Sequence, residues 1–166
     1  DGSKWGWQIK YCKGPVEWDT GRRIWEARNH FDLRFLLLYS DNFVTFPFSK
    51  ILELHKRNRL PLTLMASPKS PGNIDIDHKS VVTHFDKNRN AQLDYVEIGY
   101  MVVEKSPILE FFENIDCNFN EIIRRIASKQ QISAWIHYDS YHSISDADRW
   151  KKTEEYLKPK KIILID

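Results

Sequence analysis

The sequence has few cysteines, no excess of one charge and no long apolar run. Only two of its 166 residues are cysteines, which argues against a disulfide scaffold and favours a cytosolic protein. Lys and Arg total 25 against 23 for Asp and Glu, and this formal net charge of +2 argues against a dedicated nucleic-acid binder. No apolar stretch approaches the roughly 18 residues that a membrane helix needs, so we expect no membrane partner.

The chain also lacks a methionine at its start. It begins at Asp1, and its two methionines are Met65 and Met101, so we expect a piece of a longer protein. What is present is typical of a folded domain, because 42% of the residues are hydrophobic and 13% are aromatic. The length allows one domain with a real core.

The apolar residues alternate between strand-like runs and helical periodicity. Continuous apolar runs at residues 34–39 and 61–66 predict strands covered on both faces, and residues 48–58 between them have one apolar helical stripe. This alternation predicts βαβ units and a mostly parallel sheet, which is the α/β class. The remaining predicted elements are strands at 8–12, 95–103 and 132–138, a hairpin at 74–85, and helices at 20–29, 107–113, 120–129 and 146–157.

Asp41 follows the first buried strand. The carboxyl ends of parallel strands are where α/β sheets bind their ligands. A carboxylate there is suited to Mg²⁺, which prefers oxygen ligands and substrate phosphates. The alternative is that Asp41 only caps the next turn, and the spacing leaves both hypotheses open.

Residues 36–43 (LLLYSDNF) resemble the strand-then-Asp segment of the sugar-phosphate nucleotidyltransferases, which make NDP-sugars from an NTP and a sugar 1-phosphate. Other segments with similarity to this family follow in the family's order, at residues 1–6, 19–21, 82–87, 95–100 and 140–150. The similarity is greatest to the heptose- and mannose-1-phosphate guanylyltransferases. It implies a Rossmann-like three-layer α/β/α domain with nucleotide and sugar phosphate side by side above the sheet.

The resemblance also implies roles for single residues. Asp41 would be a catalytic residue and a ligand of Mg²⁺, and Lys87 would hold the sugar 1-phosphate as a compact positive charge. Glu97 would accept hydrogen bonds from sugar hydroxyls, and Gly99 would allow the sugar to approach closely. The alternatives are a solvated charge for Lys87, a surface strand position for Glu97 and a strand bulge for Gly99.

Two further residues of the resemblance, Thr20 and Gly21, would lie near the base or ribose of the nucleotide. The preferred partners would be a nucleoside triphosphate, with GTP favoured, and a sugar 1-phosphate. The sequence leaves open whether the chain forms a homo-oligomer.

The sequence departs from the family at three places. The glycine-rich turn with Thr-Arg that cradles the triphosphate is absent, and backbone N–H groups of such a turn do most of the phosphate binding. Ser143 occupies the position of the second metal-binding Asp, and Glu97 that of an Asn. Two hypotheses follow: an incomplete nucleotidyltransferase, or a non-catalytic binding or assembly module that kept the sheet.

The expected domain division is a nucleotidyltransferase-like domain over residues 1–157, followed by a linker and final strand over 158–166. Residues 160–166 resemble the first strand of a haloacid-dehalogenase-type phosphatase, in which Asp166 would be the nucleophile. The alternative is an ordinary last strand.

Overall fold

A computed structural model of the chain describes residues 2–158. Its helices are α1 (Thr20–Ala27), α2 (Phe48–Asn58), α3 (Lys105–Leu109), α4 (Phe119–Ser128) and α5 (Ala147–Leu157). Its strands are β1 (Arg34–Leu38), β2 (Asn42–Phe43), β3 (Leu62–Pro68), β4 (Gly72–Ile76), β5 (Val82–Asn90), β6 (Tyr95–Glu104), β7 (Ile132–Ile136) and β8 (His142–Ser143). No helix in this part of the chain is long and apolar enough to cross a membrane.

Strand β6 lies at the centre of a six-stranded sheet. It pairs antiparallel with β3 along one edge, and with β1 and β4 along the other. The order of the strands is β5-β4-β6-β3-β7, with β1 beside β6, and β2 and β8 form a separate antiparallel pair. Within the large sheet, β1, β3, β4 and β7 therefore run in one direction, and β5 and β6 run in the other.

The α/β class predicted from the sequence is confirmed, and the sheet is mixed. We expected mostly parallel strand pairs, but most pairs are antiparallel, because β3 and β7 are the one parallel pair in the part of the chain described. The reason is that β6 is inserted between β1 and β3, which would otherwise be parallel neighbours. The alternation of strands and helices indicates strand direction well, but it does not show which later strand enters the middle of the sheet.

Two local predictions were wrong. Residues 8–12 form no strand and are exposed. Strand β1 forms where it was predicted, but it is not covered on both faces: Leu36 and Leu38 are 48% and 53% exposed. Within residues 2–158, β1 has β6 as its only strand neighbour, so its second edge has no partner strand there.

The core occupies both faces of the sheet. On one face, Ile122, Ile123 and Ile126 of α4 pack against inward side chains of β3 such as Leu64. On the other face, Ile51 of α2 packs with the other core cluster. The helices thus form two outer layers with the sheet between them, which is the three-layer arrangement that the resemblance implied.

A polar cluster joins α2 to the sheet on the second face. The buried His55 ring contacts the Thr63 hydroxyl through Nδ1 at 2.8 Å and the Glu104 carboxylate through Nε2 at 3.0 Å. Arg34 of β1 binds the same carboxylate at 2.5 Å. Burial opposes ionisation of Glu104, but the hydrogen bonds from His55 and Arg34 outweigh it and hold its pKa below the usual value.

We expect Glu104→Ala to lower the free energy of unfolding by about 1.5 kcal/mol, because the buried His55 ring then loses a partner that water replaces poorly. Urea denaturation at pH 7 measures this. Glu53→Ala is the matched control, since Glu53 is exposed and has only a 3.4 Å contact with Lys50. Equal effects of the two substitutions would show that the cluster contributes nothing.

Candidate functional site

Asp41 lies at the end of β1, just before β2. The pairing of β2 with β8 places Asn42 opposite Ser143, and the Asp41 carbonyl accepts a 2.7 Å hydrogen bond from the Ile144 N–H. The structure therefore brings Asp41 close to Ser143, the two positions that the resemblance aligned with metal-binding aspartates. Asp41 itself is exposed.

Gly99 forms a bulge in β6 directly beside the end of β1. Its φ is +80°, and a Cβ built on it would lie 2.5–2.6 Å from side-chain atoms of Tyr39. Its carbonyl accepts a 2.8 Å hydrogen bond from the Tyr39 N–H. Both the backbone angle and this close approach require glycine here.

The bulge places the Glu97 carboxyl group between Tyr39 and Gly99. That carboxyl accepts hydrogen bonds from the Gly99 N–H and from the Tyr39 hydroxyl. Burial raises the pKa of Glu97 to about 7, and the nearby charge of Asp41 adds to this, although the two hydrogen bonds act in the opposite direction. Near pH 7 Glu97 is thus divided between its two forms, and can accept or donate a hydrogen bond to a ligand hydroxyl.

A cavity of about 510 Å³ opens beside Glu97. The side chains that line it are predominantly polar: Asn42, Lys69, Arg89, Glu97, Tyr141, His142, Ser143, Arg149, Lys152 and Thr153. Lys69, Arg89, Arg149 and Lys152 are four cations, and we call them the basic quartet. Glu97 is the one acidic residue of the lining, so the cavity is suited to an anion that also carries hydroxyl groups.

The basic quartet comes from three places in the fold. Lys69 follows β3, where its N–H donates to the Asp94 carbonyl at 2.8 Å, and Arg89 lies near the end of β5. Arg149 and Lys152 are three residues apart on α5, so they lie on the same face of that helix.

Helix α5 has a capping bond and internal hydrogen bonds in its first turns, and it packs on β8 in its last turn. The Asp146 carboxylate caps the helix by accepting the Arg149 N–H at 2.9 Å, and it also pairs with the Arg149 guanidinium at 3.1 Å. The buried Thr153 hydroxyl donates to the Arg149 carbonyl at 2.9 Å. The His142 ring lies against Tyr156, with 4.1 Å between their centroids, so β8 and α5 pack directly together.

The predicted site residues are only partly assembled around this cavity. Glu97 lines it, and Asp41 and Gly99 are adjacent to Glu97. Lys87 is exposed on β5 and does not belong to the lining, whereas Arg89 two residues later does. Sequence reasoning did not propose the basic quartet. Helical spacing on the predicted 146–157 helix could have paired Arg149 with Lys152, but no local pattern connects Lys69 with Arg89.

Thr20 and Gly21 lie elsewhere, at the start of α1. Thr20 lines a second cavity of about 360 Å³ between α1, β1 and α4, and its hydroxyl accepts the Phe119 N–H at 2.8 Å. Gly21 is buried and donates its N–H to the Cys117 carbonyl at 3.0 Å. A Cβ at residue 21 would lie 2.4 Å from that carbonyl oxygen, so glycine is needed here for the close packing of α1 against Cys117.

The donor set near Asp41 does not fit a resident Mg²⁺ ion. Residues 2–158 contain no group of three or more His, Cys, Asp or Glu side chains placed to hold a metal. Ser143 offers a neutral hydroxyl, and Glu97 is the one carboxyl group that lines the cavity. Asp41 is the other carboxylate at this point, with a basic lining beside it.

Comparison with known proteins gives structural but not sequence matches. No protein-family model and no curated protein matches the chain. Among solved structures, the chain is similar to a protein from Bacillus anthracis with a provisional assignment as a glucose-1-phosphate thymidylyltransferase, crystallised with sucrose. The TM-score is 0.82 at 9% identity, covering 97% of this chain and 70% of that one.

The chain is also similar to HddC from Yersinia pseudotuberculosis. The TM-score is 0.65 at 16% identity, and for HddC complexed with GMP-PN it is 0.63 at 18% identity. Each match covers 84% of this chain and 62% of the HddC chain, so the chain spans less than two thirds of that relative. The resemblance of residues 160–166 to a phosphatase strand lies outside the described residues, and the comparisons give it no support. The structural similarity shows that this chain has the nucleotidyltransferase fold that its sequence motifs predicted.

Proposed function

We propose that this chain is the part of a sugar-phosphate nucleotidyltransferase that binds the phosphorylated sugar. The observation that carries the proposal is the cavity that the basic quartet and the Glu97 carboxyl group line together. The cations suit the phosphate of a sugar 1-phosphate, and Glu97 suits its hydroxyl groups. The relatives with the same fold, one crystallised with sucrose and one with GMP-PN, support sugar and nucleotide as partners.

In the complete reaction, a phosphate oxygen of the sugar 1-phosphate attacks the α-phosphorus of the nucleotide. A new P–O bond forms there while the bond from the α-phosphorus to the bridging oxygen breaks, and pyrophosphate leaves. The residues of this chain would orient the attacking sugar phosphate and offset its charge. The resemblance favours GTP and a cytoplasmic place in NDP-sugar synthesis, and Mg²⁺ stays a prediction of the resemblance alone.

A second candidate function is a non-catalytic binding or assembly module of the same fold. Ser143 favours it, because a serine at this position cannot supply the second carboxylate. Calorimetry separates the two candidates, since a pure assembly module should bind neither GTP nor sugar 1-phosphates.

We expect the 166-residue chain to bind mannose or glucose 1-phosphate at least about tenfold more tightly than the free sugar, because the basic quartet adds charge-assisted hydrogen bonds to the phosphate. Isothermal titration calorimetry measures both ligands. We also expect little or no NDP-sugar formation, since the sequence has no glycine-rich turn for the triphosphate. Equal affinity for sugar and sugar phosphate would contradict the proposed function.

A further inference from the structure

The cavity beside Glu97 contains more positive charge than its neighbours neutralise. Arg149 pairs with Asp146, but Lys69, Arg89 and Lys152 form no ion pair within residues 2–158. The Lys69 ammonium lies 5.7 Å from the centre of the Tyr141 ring, which is a weak contact. Even with Asp41, Asp146 and an ionised Glu97 counted, about one positive charge remains for a ligand to offset.

The same region has few carboxylate ligands for a divalent cation. Ser143 of β8 lines the cavity at the position where the resemblance expects a carboxylate, and its hydroxyl donates to that of Ser145 at 3.2 Å. Asp41 does not belong to the lining, and Glu97 is the one carboxyl group within it. A cation bound here would also be repelled by the four basic side chains of the lining.

We propose that the basic quartet forms a metal-independent site for a phosphoryl group, in which protein cations provide the charge that a bridging metal would otherwise supply. The proposal rests on the proposed function for the class of ligand, a phosphorylated small molecule. The volume of about 510 Å³ lies within the usual range for such ligands. Arg149 and Lys152 are central because they lie on one face of α5, which packs on β8 through Tyr156 and His142.

Metal independence has a consequence that can be measured. Mg²⁺ and the basic quartet would compete for the same phosphate oxygens, so added Mg²⁺ should weaken the binding of inorganic pyrophosphate. A metal-dependent site would show the opposite, because its ligand binds as the metal complex. The sign of the Mg²⁺ effect therefore distinguishes the two kinds of site.

The test is calorimetric titration of the 166-residue chain with inorganic pyrophosphate at constant ionic strength, in EDTA and in excess Mg²⁺. Lys152→Gln should weaken binding in EDTA by about tenfold, because one charge-assisted contact is lost. Lys151→Gln is the matched control, since Lys151 directly precedes Lys152 on α5, is exposed and does not line the cavity. Arg89→Gln, on β5, tests the same cavity from an element distant in sequence, with circular dichroism to verify folding.

Binding in EDTA that weakens in Mg²⁺ and depends on Lys152 and Arg89, but not on Lys151, is the expected result. Binding that requires Mg²⁺ would overturn the inference and leave the proposed function standing. Equal losses for Lys151→Gln and Lys152→Gln would also overturn it, because attraction to the general surface charge would then explain the binding. Absence of pyrophosphate binding in both conditions overturns it as well, and titration with sugar 1-phosphate then decides the proposed function separately.

Discussion

Replacing Gly99 by alanine is expected to lower the free energy of unfolding by about 3 kcal/mol. Two costs add together at this position. A side chain at φ +80° is strained, and the new methyl group would overlap Tyr39 atoms at 2.5–2.6 Å. Neither group can move easily, because the Tyr39 N–H is bonded to the Gly99 carbonyl and the Tyr39 hydroxyl to Glu97. Urea denaturation followed by circular dichroism gives the change in stability.

Gly6→Ala is the matched control for the Gly99 substitution. Gly6 has a similar φ of +68°, but a Cβ there would meet nothing within 4 Å. It therefore measures the cost of the backbone angle alone, which we expect to be about 1 kcal/mol. If Gly99→Ala lowered the free energy of unfolding no more than Gly6→Ala does, overlap with Tyr39 would add nothing to the effect of the substitution.

Glu97→Gln should remove a large part of the pH dependence of stability. The folded pKa of Glu97 is about 7, against the ordinary value of 4.5, so the folded state binds more protons than the unfolded state between these values. Stability from this group is thus complete below about pH 4.5 and is lost as the pH rises to about 7. The loss amounts to about 3 kcal/mol, and glutamine avoids it because it never ionises.

The measurement compares the unfolding free energies of wild type and Glu97→Gln at pH 4.5 and pH 8. We expect the variant to gain about 3 kcal/mol relative to wild type over this interval. Glu155→Gln, at an exposed position of α5, should show no such gain. A pH-independent difference between wild type and Glu97→Gln would mean that Glu97 is ionised at pH 8 without cost.

Much of this fold could be predicted from periodicity. Helix α2 begins and ends where its apolar stripe does, and α5 covers nearly all of the predicted 146–157 helix. The position of β6 could not be predicted, because its apolar pattern fits an edge as well as the centre of a sheet. Hydrophobic pattern specifies which residues are covered, whereas the order of strands depends on contacts between segments far apart in the chain.

In the candidate site, too, some features could be predicted from the sequence and others depend on contacts between distant segments. Asp41 and Ser143, the positions that the resemblance aligned with metal-binding aspartates, come together through the pairing of β2 with β8. Lys69 and Arg89 approach α5 because of the three-dimensional paths of β3 and β5. Local sequence patterns do not predict these paths. The pKa of Glu97 likewise depends on burial, which the alternating pattern of β6 left open.

The central position of β6 has a consequence for the order of folding. Arg34 of β1 pairs with Glu104 of β6, and Leu62 of β3 pairs with Val103, so both strands must wait for a partner made later. Among the strands of residues 2–158, β1 and β3 find no partner until β6 is complete, and the β4–β5 hairpin is the one pair that forms locally. Such non-local pairing makes folding slow and leaves apolar strands uncovered while it proceeds. The leucines of β1 would then be among the segments that most need protection by chaperones during synthesis.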